Sequence, residues 1–276
     1  MISERTFTGA AGRTLFLRHA TAAAPRGVVI ILHGFGEHSG RYLETMERFS
    51  NEGFASYTMD LRGFGRSAEL IADMEDIEKV VADIQLLTRL ARDENPGVPI
   101  VLLGHSMGGL LALNQLLVHP EQYDLAITSG PGLLPPENAN RLVVALSRVL
   151  AAITPQLPVS PIEQGAETRN EELKERDRAD DLIYRGGFRA RTAYQLIQVQ
   201  MRVLESLSTI TTPILALHGG DDRIMSPRAT ETLVERIGSS DTEHHIFPGL
   251  YHEVLNEPER DDVFAVVFDW LNPRIE

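Results

Sequence analysis

The chain has 276 residues, 43% of them hydrophobic and 24% charged, with a formal net charge of −13 and no cysteine. That length holds one large α/β domain or two small ones with a substantial core. The charge argues against nucleic acid as a partner, and the missing cysteines exclude disulfides, thiolate catalysis and Cys-ligated zinc. Met1–Thr6 lacks the apolar core of a signal peptide, and no apolar run reaches membrane-spanning length. The expectation is a soluble, cytoplasmic protein, at most peripheral to a membrane.

Thr14–Arg18 alternates as a half-buried edge strand would, whereas Val28–Leu32 is continuously apolar and β-branched, the pattern of a strand buried on both faces. Leu43, Met46 and Phe49 fall near helical spacing within residues 41–51, ahead of a third, weaker strand at 54–59. Val80, Ile84, Leu87 and Ala91 form one stripe of an amphipathic helix that Asn95-Pro96-Gly97 stops. Apolar runs at 100–103 and 125–128 predict two further strands. From Pro131 to about Ser208 the alternation breaks into Pro-rich turns, an apolar helix and a dense charged stretch with no buried-strand pattern. It resumes with a strand at 214–217, a helix at 227–237, a strand at 243–247 and a final helix near 260–271. Strands alternating with helices imply an α/β fold, a mostly parallel sheet covered on both faces. Residues 1–130 and 211–276 are read as its core, and 131–210 as a helical cap inserted over the active site.

Gly104-His105-Ser106-Met107-Gly108 stands between the strand at 100–103 and a helix-compatible run. Strand, sharp turn and helix are the context that a G-x-S-x-G nucleophile elbow requires, so Ser106 is the expected nucleophile. A serine hydroxyl needs a base, and the base an orienting acid, in the chain order Ser, Asp or Glu, His. His218-Gly219-Gly220-Asp221-Asp222 follows a late strand; Asp222 fits an H-G-x-x-D spacing and is chosen, with Asp221 as the fallback. His252 lies in a loop before the last helix and is chosen as the base. His244 and His245 fall inside a strand and are given structural roles. An oxyanion needs main-chain donors. The amides of Met107, directly after the serine, and of Phe35, in the glycine-flanked loop His33-Gly34-Phe35-Gly36, are chosen, leaving both side chains to line an acyl pocket.

His33–Tyr42 (HGFGEHSGRY), Asp60–Ser67 (DLRGFGRS), Gly104–Gly109 (GHSMGG) and Pro248–Glu253 (PGLYHE) with Asn256-Glu257-Pro258 resemble the monoacylglycerol lipase and lysophospholipase branch of the α/β-hydrolases, and most closely its bacterial monoacylglycerol lipases. The resemblance implies the α/β-hydrolase fold and a triad of Ser106, Asp222 and His252, favouring Asp222 over Asp221. It also implies oxyanion donors at Phe35 and Met107, substrate-binding polar groups at Glu37 and Arg41, and no cofactor or metal. The substrate it implies is a monoacylglycerol, cleaved to glycerol and fatty acid through an acyl-enzyme. A broad carboxylesterase or lysophospholipase with the same triad is the alternative, and a non-catalytic ligand-binding protein the remote one. Phe64 stands where the family usually has histidine, which removes a polar group there. The cap sequence, especially 163–191, does not align and leaves chain-length preference open.

The apolar face of residues 141–153 fits two uses equally: a lid helix touching a membrane or micelle, or a helix packed within the cap. An exposed face would serve membrane contact or a homodimer. Residues 170–181 mix both charge signs at helical spacing and are read as a solvated face. His33 is expected to order the oxyanion loop, and His33 with His38 is too weak a pair for a metal. Asp60 and Arg62 are expected to fix the turn after their strand. The glycines at 63 and 65 form no phosphate-binding motif.

Overall fold

The computed structural model describes residues 1–133, 141–160 and 165–275, with the side chains of 141–145 and 160 excepted. In chain order the strands are β1 (Ile2–Thr8), β2 (Thr14–Ala20), β3 (Gly27–Leu32), β4 (Phe54–Met59), β5 (Ile100–His105), β6 (Leu125–Ser129), β7 (Pro158–Ser160), β8 (Phe188–Arg189), β9 (Ile214–Gly219) and β10 (Thr242–Phe247). The helices are α1 (Leu43–Asn51), α2 (Ile77–Glu94), α3 (Met107–Val118), α4 (Arg141–Ile153), α5 (Glu171–Ala179), α6 (Ala190–Ser206), α7 (Arg228–Arg236) and α8 (Arg260–Leu271). Eight strands form one sheet in the order β1-β2-β4-β3-β5-β6-β9-β10. It is parallel from β4 to β10 and antiparallel where β2 meets β1 and β4.

Strands β3, β5, β6 and β9 are buried along their whole length, so both sheet faces must be covered. One face packs Val80, Ile84 and Leu87 of α2 with Leu110 and Leu113 of α3, Val199 and Val203 of α6, and Leu233 of α7. The other packs Met46 and Phe49 of α1 against Val263, Phe264, Val267 and Trp270 of α8. The expected edge strand proves internal: β2 lies between β1 and β4, and four consecutive residues, Leu15–Arg18, are buried. The true edge is β1, whose apolar residues Ile2 and Phe7 do not share the alternation of an amphipathic strand.

Strands β6 and β9 are neighbours in the sheet, yet α4, β7, α5, β8 and α6 lie between them in the chain. The region that shows no buried-strand pattern carries only a short pair among the described residues, β7–β8, neither strand of which is buried there. Helix α4 packs against α6. Leu146, Val149 and Ile153 nonetheless stay exposed, beside Leu157 and Val159. The side chains of Leu142 and Val143, counted in the same apolar face, lie outside the described residues. No helix among the described residues is long and apolar enough to cross a membrane.

Asp60 and Arg62 act beyond their own turn. Asp60 accepts hydrogen bonds from the amides of Ser39 and Arg66, joining the loop after β3 to the turn after β4. Arg62 donates to Asp83 of α2 at 3.0 and 3.2 Å, and Asp83 also accepts the Ala10 amide at 2.6 Å. Both side chains are buried. Asp83→Ala therefore leaves a buried guanidinium whose remaining carboxylate is Glu75 at 3.5 Å. Breaking a buried pair costs about 3–5 kcal/mol, and the residual partner places this one near the lower end. Guanidinium chloride unfolding checks this; a loss below about 1 kcal/mol would show that the pair does not hold the β1–β2 turn to α2.

Candidate active site

Ser106 sits at the junction of β5 and α3 with φ 52° and ψ −117°, a backbone geometry costly to any residue with a Cβ. The flanking glycines make this turn possible. A Cβ on Gly104 would lie 2.3 Å from the Gly108 carbonyl oxygen, and one on Gly108 would lie 2.1 Å from that of Leu32. The turn is held by the Ser106 amide donating to Ser129 and by the Ser106 carbonyl accepting from Gly132 and Leu110. Among the described residues Ser106 Oγ has no hydrogen-bond partner, and it faces a cavity of about 410 Å³.

His252 lines the same cavity. Its Nδ1–H donates to Asp222 Oδ2 at 2.7 Å, which leaves Nε2 as the unprotonated atom, buried and without a partner. Asp222 follows β9 and is fully buried at its side chain. Its Oδ1 accepts the amides of Ile224 and Met225, and His218 Nε2 lies 3.0 Å from Oδ2. Burial opposes charge on Asp222, but the hydrogen bonds from His218, His252 and Met225 hold its carboxyl well below the usual range. Burial likewise opposes charge on His252, and there the Asp222 hydrogen bond and carboxylate, with Glu253 and Glu37, raise the imidazole above its ordinary value. Asp221, the fallback, is exposed, and its amide donates to Leu250. His244 and His245 lie on β10, which is the sheet's other edge; His244 is exposed and His245 pairs with Glu243.

The Phe35 and Met107 amides make no hydrogen bond to any other described residue. That of Met107 is the first of the unpaired amides at the start of α3. Phe35 lines the cavity, stacked on Phe188 of β8 at 3.9 Å between ring centroids. The side chain of Met107 does not line it: it is buried in the apolar core under the elbow, against expectation. Helix α3 is buried on nearly every face, so its first side chain turns into the sheet packing. His33 accepts the Leu61 amide at Nε2, which assigns the proton to Nδ1 and its bond to the Gly34 carbonyl at 2.7 Å. Phe64 packs edge-on against both His33 and Phe35, an apolar support under the loop where a histidine would be polar.

Glu37 and Arg41 also line the cavity, but they face each other and a larger ionic cluster. Arg41 donates from two nitrogens to Glu253 at 2.9 Å each and to Asp177 at 3.2 and 2.6 Å, with Glu37 at 3.3 Å. Burial disfavours the guanidinium, yet Glu253 and Glu37 raise its pKa well above the usual value, and Arg41 holds Glu253 down to about 2 against its own burial. The charged run on α5 is therefore not only a solvated face. Asp177 reaches Arg41, Asp180 Oδ2 lies 2.9 Å from His38 Nε2, and Leu173 is buried. These ties, with the Tyr184 amide on the Gly36 carbonyl, close α5 and its following loop over Ser106. Sequence reasoning missed Asp177, Glu253, Tyr184 and Phe188. Of these only Glu253, an acid directly after the proposed base, carried a local signal.

A serine on a strained strand-to-helix turn, with a His–Asp couple on later loops at the carboxyl end of a mostly parallel sheet, defines the class of the α/β-hydrolases. The chain belongs within it to the serine aminopeptidase S33 family, whose model matches residues 23–259. It is 33% identical to a monoacylglycerol lipase of Mycolicibacterium smegmatis over 98% of this chain and 96% of that protein. It is 30% identical to the human monoglyceride lipase over 95% of this chain and 88% of that one. Among solved structures it is similar to a Paleococcus ferrophilus monoacylglycerol lipase, with a TM-score of 0.83 and 27% identity, covering 94% of this chain and 99% of that one.

Proposed function

We propose that the protein hydrolyses monoacylglycerols to glycerol and a free fatty acid, with residues 131–210 as the cap that encloses the substrate. What carries the reading is the Asp222–His252 couple, whose Nε2 has no partner among the described residues and whose imidazole lines the same cavity as Ser106. His252 Nε2 takes the Ser106 proton as Oγ attacks the ester carbonyl, and Asp222 holds the ring and stabilises its charge. The amides of Phe35 and Met107 receive the oxyanion. Collapse expels glycerol, protonated by His252, and a water activated the same way releases the acid. Phe35, Ile183, Tyr184, Phe188 and Ile224 supply apolar lining for the acyl chain, while Glu37 and Arg41 meet the glycerol hydroxyls. The exposed apolar face of α4 suits transient contact with the lipid surface that holds the substrate.

A specific observation favours a second reading. Lys174, Arg178 and Arg185 all line the cavity on the cap side, and cations there suit the phosphate of a lysophospholipid. A panel of monoacylglycerols, short-chain esters and lysophospholipids tests the first reading. Monoacylglycerols are expected to show the highest kcat/KM. A higher value for lysophospholipids would replace the proposal with the second reading, and failure of a fluorophosphonate to label Ser106 would favour a non-catalytic binding protein.

A further inference from the structure

We propose that Glu37, His105 and Glu253 form a site for one divalent transition-metal cation such as Zn2+, on the cavity wall beside Ser106. One donor atom from each of the three lies within 4.8 Å of the others, and all three residues are buried. His105 is not used by the hydrolytic machinery. Its Nδ1 faces the Ser129 carbonyl at 3.0 Å, an acceptor, so Nδ1 carries the proton and Nε2 presents a lone pair. That Nε2 is buried without a hydrogen-bond partner, and so is Oε2 of Glu37. A buried acceptor without a donor is costly; His105 Nε2 is one, and Glu37, though Tyr42 and Arg41 approach its carboxylate, keeps Oε2 as a second.

The spacing suits an ion better than a hydrogen bond. His105 Nε2 stands 3.6 Å from Glu37 Oε1. Two donors about 2.0–2.1 Å from a tetrahedral Zn2+ are about 3.4 Å apart, so this pair needs only a small shift, whereas the full set, within 4.8 Å, must draw together further around the ion. Neither atom can donate to the other while Glu37 is ionised, and the Arg41 guanidinium, 3.3 Å from Oε1, serves the carboxylate but leaves His105 Nε2 without a donor. Glu253 accepts two hydrogen bonds from Arg41 and one from Asn256. A carboxylate has about four lone-pair sites, so one is left for a metal. Arg41 keeps its two bonds to Asp177 whichever way Glu253 turns.

Charge points the same way. Glu37, Glu253 and Asp177 surround the single guanidinium of Arg41, which leaves two formal negative charges in a largely buried cluster. One divalent cation balances them. A histidine nitrogen with two carboxylates suits Zn2+, whereas Mg2+ demands octahedral oxygen ligation and gives up its water reluctantly. Glu37 and Glu253 share the cavity with Ser106 and His252, so a bound ion would occupy the space proposed for the glycerol end. The kinetic consequence, a raised KM, rests on the proposed function; the binding itself does not.

Isothermal titration of Zn2+ into tag-free Ser106→Ala protein tests the site apart from any turnover. The expected result is one ion per chain, no comparable binding of Mg2+, and affinity weakened roughly tenfold or more by Glu37→Gln added to that background. His105→Asn carries the same expectation and serves if Glu37→Gln fails to fold. His252→Gln is expected to keep the ion, because that imidazole is outside the donor set. The proposal is overturned by no Zn2+ binding to the Ser106→Ala protein, by affinity undiminished in the folded variants, or by loss of the ion in His252→Gln.

Discussion

Ser106→Ala protein is expected to fold with unchanged stability and to hydrolyse monoacylglycerols roughly a millionfold more slowly in kcat. The size follows from the proposed role: without Oγ there is no acyl-enzyme, and only binding and the oxyanion donors remain to assist direct attack by water. Stability should not change, because Ser106 Oγ caps no helix and makes no hydrogen bond among the described residues, so the substitution removes no interaction. Alanine also keeps the backbone strain, since it carries the same Cβ at φ 52°. Ser106→Gly separates the two effects. It should lose activity as fully while gaining about 1–2 kcal/mol from release of the left-handed backbone. Turnover with purified Ser106→Ala protein within tenfold of wild type would remove the serine mechanism, and destabilisation of Ser106→Gly would show that the elbow is not strained.

The elements around that serine were the most legible part of the sequence. Continuous apolar runs mark β3, β5, β6 and β9 because a strand covered on both faces has no polar side to show. A stripe at helical spacing marks α2, and Gly104 and Gly108 are unmistakable because their Cβ positions are filled by backbone. What failed is what depends on distant partners. Strand β1 has no fully buried residue, so it carries no buried alternation, and without it β2 reads as the edge. The charges of α5 sit at helical spacing whether they face water or a cluster. Only the fold brings Asp177 to Arg41, 136 positions earlier, and Asp180 to His38. Met107 reads as a pocket residue because only its amide is given to the oxyanion, but a side chain one position past the elbow turns into the core on which α3 rests. The ring of cap residues around the cavity is legible only once α5 is folded over Ser106.

Electrostatics make the second large effect specific to one of two adjacent aspartates. Asp222→Asn is expected to lower kcat about ten-thousandfold, whereas Asp221→Asn, on an exposed residue, should leave it within about twofold. Asparagine keeps the loop's own bonds, since its oxygen can still accept the Ile224 and Met225 amides; the bond from His218 to Oδ2 is lost, and His218 Nε2 retains the Met225 carbonyl. The asparagine amide group would then face His252 as a donor in place of Oδ2. The imidazole must answer with a lone pair at Nδ1, which moves the proton to Nε2, the atom that must be free to take the Ser106 proton. The pH profile reads the same change independently. Only neutral His252 acts as base, so kcat/KM falls as pH drops through its pKa, which lies above the ordinary histidine value in the free protein. The Asp222 hydrogen bond and charge do most to raise it, so the residual activity of Asp222→Asn should lose its acid limb at lower pH than wild type does. An acid limb that stays in place, or a kcat within tenfold of wild type, would mean that His252 is oriented by something other than Asp222. No other described side chain bonds its Nδ1, so that result would also remove His252 as the base.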